Sequence, residues 1–291
     1  MNNHNFILFK RKRDLGTILS DTVKFLSVEW KPFLLTVLKA AIIPILLAIG
    51  GMIYYLMSFS NFFEGFINIS DSESEFNFSE FVLPVLFFVF TYLIAYALIT
   101  VTALSYLKSY INNNGIVNFE EVNNYTKEKF WSFVGLFFLN GLIIVFGALF
   151  CFFPAIYLGV VLSLSSCILV FQNKSTTDAI NDSFSFIKNY WWETFGVLLV
   201  VQILIGVVGF VVDLPASLYQ VSIVGLNVGN EDPSEIINIF SDPLYVSLLV
   251  FSNFVKLVLY IITIVTSVFI YFDIKEQRNP SNDVINQIGI E

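Results

Sequence analysis

Between Asp14 and Trp30 the residues Leu15, Ile18, Leu19, Thr22, Phe25, Leu26 and Trp30 recur at i, i+3, i+4 and i+7 intervals. That spacing predicts a helix with one apolar stripe, too polar around the rest of its surface to cross a bilayer and suited to lying in the membrane plane. A long apolar stretch follows directly. The same unit recurs from Ser175 to Trp191, where Asp182-Ser183 answers Asp21-Thr22, Phe186-Ile187 answers Phe25-Leu26 and Trp191 answers Trp30. Cap and Trp are 16 residues apart in both copies. A weaker copy runs from Asn118 to Trp131 with a spacing of 13 residues, about one helical turn shorter.

Six stretches are long enough for a hydrocarbon core of ~30 Å, which takes ~20 apolar residues per helix: 33–57, 81–107, 131–151, 154–171, 192–212 and 244–272. The expected fold is therefore an all-α integral membrane protein, one polytopic domain over 1–291. Six transmembrane helices form three hairpins, each preceded by an in-plane amphipathic helix on the cytoplasmic side. The units are 14–107, 118–171 and 175–272, with polar tails at 1–13 and 273–291. Asn118 with Glu121 and Ser175 with Asp178 predict capping boxes at two helix starts. Cys151 to Pro154 predicts a tight turn between spans three and four, Asp232-Pro233 a short helix over 233–240, and Asp242-Pro243 the start of span six.

Composition agrees with the pattern: 56% of residues are hydrophobic, 13% are charged, and mean hydropathy is +0.77, against a charged fraction of ~25% in soluble domains. Charge then orients the chain. Of 15 Lys and Arg, 13 flank one set of loops, including the run Lys10 to Arg13, while the opposite loops 58–80, 152–153 and 213–243 contain none and carry ten acids. The positive-inside rule puts both termini in the cytoplasm of a multi-pass protein of the cytoplasmic (inner) membrane. With acids balancing bases on that face, the net charge of −8 argues against a nucleic-acid partner. The bilayer is the partner the pattern requires, and a membrane-protein partner is compatible with it; oligomeric state has no signature here.

Catalytic chemistry fails on inventory. One histidine, His4, and two separated cysteines, Cys151 and Cys167, supply no nucleophile-base pair, metal set or cofactor site. Trp30, Trp131, Trp191 and Trp192 fall where interface anchors belong. What remains is polarity within the spans. Lys39, six residues into span one, can snorkel to headgroups. Lys256 lies near the centre of span six with no acid expected at its depth, and Asn253, Gln202 and Asn140 fall near the same level, so the four are the candidate intramembrane polar site.

The basic start with DLGTILSDTVKFL, the PAIYLGVVLSL return, DAINDSFSFIKNYWWETFG and the closing YFDIKEQRNP resemble bacterial multi-span proteins related to the membrane domain found beside glycerophosphodiester phosphodiesterases. The catalytic domain of those enzymes has no counterpart here, so the resemblance implies a membrane fold and no hydrolysis. Two functions fit: a non-enzymatic scaffold or regulatory subunit of a membrane complex, or a transporter or lipid-handling protein using a midplane site around Lys256.

Overall fold

The computed structural model describes residues 7–67, 78–227 and 238–279, and within them every regular element is helical, with no strand. The helices are α1 Leu15–Ile67, α2 Ser79–Asn112, α3 Phe119–Phe150, α4 Phe152–Leu162, α5 Ser165–Phe171, α6 Thr176–Ile187, α7 Trp191–Asn227 and α8 Pro243–Arg278, with a 3-10 turn at Asn238–Ser241 before α8. Among the described residues, six helical stretches are long and apolar enough to cross a membrane, α4 and α5 together counting as one. The chain is thus a multi-pass, all-helical membrane protein.

The surface helix expected at 14–30 is not a separate element. α1 runs unbroken for 53 residues through Trp30 and Pro32, about 80 Å at helical rise. Its buried positions explain why. Ile18, Thr22, Phe25, Glu29, Phe33, Val37, Ala41, Ile45, Ala48, Met52 and Leu56 form one stripe at steps of three and four, so the face that begins at Ile18 continues past Trp30. α3 likewise carries the expected 118–130 segment and span three in one helix. Only the copy at 175–191 is distinct: α6 ends at Ile187, and a turn closed by Tyr190 N–H on the Ile187 carbonyl at 2.7 Å separates it from α7.

The capping residues act largely as their spacing predicts. Asn118 accepts from the N–H groups of Glu120 at 3.0 Å and Glu121 at 3.3 Å. The return half of the box passes through a third residue: Asn118 N–H donates to Ser109 Oγ, and that hydroxyl donates to Glu121 Oε2. Ser175 accepts from Asp178 N–H at 3.3 Å. Asp242 accepts from Leu244 and Tyr245 N–H, with Pro243 as the first helical residue of α8. Of the helix expected over 233–240, only the turn from Asn238 lies within the described residues.

Two compact units divide the chain. The first comprises residues 1–41, 96–204 and 260–291, the second 42–95 and 205–259. Residues 7–13 of the first unit are no tail. Phe9 is fully buried, stacked on Phe269 at 4.4 Å and edge-on to Phe25 and Tyr110, contacts worth ~0.5–1.5 kcal/mol each beyond area burial. Behind it Arg13 donates from Nε to Asp21 Oδ2 at 2.8 Å, from Nη1 to the carbonyls of Phe9 and Arg11, and from Nη2 to that of Leu8; its backbone N–H meets Asp273 Oδ1 at 2.7 Å. Asp273, Ile274 and Glu276 are themselves buried, so the polar exit expected from 273 onward is still core as far as Glu276.

In the second unit Ala216, Ile239 and Tyr245 are the buried centre, packed by Tyr219, Ile223 and Phe240. Phe59 lies edge-on to Phe240 at 5.1 Å and Tyr55 stacks on Phe88. α1 and α2 are close at Gly51, where an added Cβ would meet Thr91 Oγ1 at 2.6 Å.

Candidate functional site

α7 does not stop where its apolar run ends. It continues through Asp213 and Pro215 to Asn227, which makes Asp213 a helical residue and not part of a loop. One turn earlier stands Gly209, with the stem of Lys256 in van der Waals range of a Cβ added there. Lys256 Nζ reaches Asp213 Oδ2 at 2.8 Å. The second carboxylate oxygen accepts from Ser252 Oγ, one turn before Lys256 on the same face of α8. Asp213 therefore has a cation on one oxygen and a hydroxyl on the other. The expectation that Lys256 has no acid at its depth is corrected by this pair.

The depth itself also changes. Placing Lys256 at the midplane assumed that the helix is as long as the membrane is thick, but α8 has 36 residues, about 54 Å. Charges give a better ruler. On α7, Glu193 and Asp213 are 20 residues apart, about 30 Å, one hydrocarbon thickness. On α8, Lys256 and Asp273 are 17 apart, about 25 Å. The ion pair thus stands at the end of a charge-free stretch of each helix, not at its centre. Its side chains are 41% and 35% exposed.

The other three candidates each bond elsewhere. Asn253 Nδ2 donates to the carbonyl of Leu249 in its own helix at 2.8 Å. Gln202 Nε2 donates to Thr263 Oγ1 at 3.2 Å, and Asn140 Nδ2 to Ser165 Oγ at 2.9 Å. No four-residue cluster forms, because Asn253 satisfies its amide locally and the two amides of the first unit each find a hydroxyl. Trp30, Trp131 and Trp192 are exposed, at 50%, 71% and 77%. Trp191 is half-buried, stacked on Phe195 and Tyr157.

The first unit contains what the sequence did not single out. Span four breaks at Ser163 and Leu164, between α4 and α5. Ser163 and Ser165 return their hydroxyls to the carbonyls of Val160 and Leu162, which satisfies backbone groups that the break would orphan. Beside it Thr100, Ser163, Ser166, Tyr260, Thr263 and Ser267 line a cavity of about 190 Å³ without a charged group. The hydroxyl run Ser163, Ser165, Ser166 within an apolar span was the available signal. Buried Arg13 had none, since nothing in Lys10 to Arg13 distinguishes the member that turns inward. Burial draws its pKa down and Asp21 draws it up; a guanidinium stays charged at either extreme.

Among the described residues no three of His, Cys, Asp and Glu converge as metal ligands would. Compared with family models, curated proteins and solved structures, the chain matches none of them.

Proposed function

We propose that the chain is a non-enzymatic subunit that scaffolds or regulates a complex in the cytoplasmic membrane, with its basic side and both termini in the cytoplasm. The carrying observation is where the intramembrane polar groups go. Lys256, Gln202 and Asn140 each bond to a neighbouring helix of the chain, which is how polar side chains act as helix glue, at ~0.6 kcal/mol per bond on average, while Asn253 bonds within its own helix. The lipid-facing side is correspondingly broad: only 17% of the most apolar stretch of Trp191–Ile223 is buried within the chain. The resemblance to a membrane domain that elsewhere accompanies a catalytic domain supports the same reading.

Purification from native membranes tests it. A protein partner in fixed stoichiometry is the expected result; a chain recovered alone with a tightly held solute defeats the subunit reading. Orientation is tested with single cysteines placed after Cys151 and Cys167 are replaced. Position 72 is expected to react with an impermeant reagent in intact cells and position 108 is not; the reverse result inverts the topology.

A second reading, solute or lipid handling, has its own observation: a broken span bordering a hydroxyl-lined cavity, the arrangement by which transporters expose backbone to a substrate. Ser166→Ala, in the wall of that cavity, separates the two. Loss of the deletion phenotype's rescue by a folded, abundant variant favours transport, whereas reduced thermal stability with function retained per folded molecule favours glue.

A further inference from the structure

A groove in the first unit is built differently from every site above. One wall is the face of α1 at 32–40, the other the face of α3 at 119–126, and Thr102 of α2 lies at its base; its volume is about 500 Å³. No acid lines it. Lys39 is its one cation, exposed and without an ion pair among the described residues. Thr102 is 1% exposed, and its hydroxyl has no hydrogen-bond partner. By contrast Thr36 and Thr126 have already given their protons, to the Pro32 carbonyl and to Ser105 Oγ. Free donors therefore converge from three helices: the Lys39 ammonium, the exposed Asn123 amide and the buried Thr102 hydroxyl. An unpaired buried hydroxyl is a standing desolvation penalty, and a groove that offers donors and a cation but no acid is shaped for an anion.

Its position selects which anion. Lys39 is the last charged residue of α1 before a stretch without charge that extends to Glu64, 25 residues on, about 37 Å of helix. Lys39 therefore stands at the edge of the hydrocarbon core, a correction to its expected place one or two turns inside. On α3 the groove face 119–126 also precedes Lys129, the last charge before that helix's apolar run. The rim is apolar as well: Leu35 and Phe119 are 53% and 56% exposed. A charge at headgroup level with exposed apolar side chains beside it is the complement of a phosphate ester carrying acyl chains.

We infer that this groove binds the phosphate of an anionic phospholipid headgroup, with Lys39 as counter-ion and Asn123 and Thr102 as donors. The site goes beyond the subunit reading and holds under either function proposed above. Full-length protein in detergent, titrated with phosphatidylglycerol and with phosphatidylcholine and read by native mass spectrometry and thermal midpoint, tests it. Phosphatidylglycerol is expected to bind about fivefold tighter, the increment one basic residue contributes near an anionic headgroup. Lys39→Gln removes that preference and Lys39→Arg keeps it. Thr102→Val is the sharper variant. It deletes the unpaired hydroxyl, so the lipid-free midpoint rises while phosphatidylglycerol affinity falls; a purely structural Thr102 moves the two together. Equal affinity for both lipids in the unaltered protein overturns the site. So does a loss with the exposed control Lys24→Gln equal to that with Lys39→Gln. Displacement of the lipid by millimolar inorganic phosphate overturns the lipid assignment, because the groove then takes phosphate from solution.

Discussion

Two ion pairs of this protein have the same length, 2.8 Å, and opposite surroundings. Arg13 and Asp21 have side chains 0% and 10% exposed, whereas Lys256 and Asp213 are 41% and 35% exposed. Arg13 also satisfies its fork with three carbonyls and lies over the Phe269 ring at 4.8 Å. Lys256 has one carboxylate. The difference teaches that charge within an apolar sequence says little about role. The buried pair ties a residue the sequence presents as a tail to the first helix, and the open pair carries the lysine that looked functional.

Breaking the pairs one at a time is the direct test. Arg13→Ala leaves Asp21 to Arg11, whose Nη2 reaches the same oxygen at 2.6 Å, but strips three carbonyls of a charged donor, and the loss is expected at ~3–5 kcal/mol in denaturant unfolding of the detergent-solubilised protein. Arg13→Lys restores little of it, since an ammonium cannot fill a planar fork. Phe9→Ala, which empties the ring stack on Phe269, is expected to lose about 3 kcal/mol. A tail in solvent predicts no change for any of these.

Gly51 extends the comparison to sterics in the second unit. Gly51→Val drives a side chain into Thr91 and is expected to lose ~1–3 kcal/mol by overpacking. Gly50→Val, where nothing lies within 4 Å, is the control; equal thermal shifts for the two contradict the close approach of α1 and α2. The smallest effect belongs to the open pair. Solvent screening at its exposure holds Lys256→Met and Asp213→Asn to ~0–1 kcal/mol each. A double-mutant cycle coupling as large as the Arg13 loss erases the contrast on which the comparison rests.

Helix content and the starts of α3, α6 and α8 were legible because they depend on local chemistry: a cap oxygen, an N–H two or three residues on, a Pro in the first turn. The limits of α1 and α7 were not. Trp30 read as a boundary, yet the buried stripe from Ile18 to Leu56 depends on neighbours supplied by distant helices. Asp213 read as loop because an acid ends an apolar run, although α7 continues through it and a lysine on α8 pairs with it. Each amide of the candidate site bonds within the chain. Which acceptor it takes is set by packing, so the proposed cluster of four dissolved into four separate contacts.

Arg13 donates its backbone N–H to a residue 260 positions later, and that separation is also an interval of time. During synthesis at ~5–20 residues per second, Asp273 and Phe269 emerge about 10–50 s after Arg13. Asp21 is available almost at once, so the guanidinium acquires its carboxylate early, while Phe9 waits for the ring it stacks on. The nascent chain must therefore keep an apolar segment next to a cluster of four basic residues unburied until α8 has been made. A ribosome stalled before residue 269 leaves that segment open, which is the form a quality-control protease or chaperone could distinguish from the finished protein.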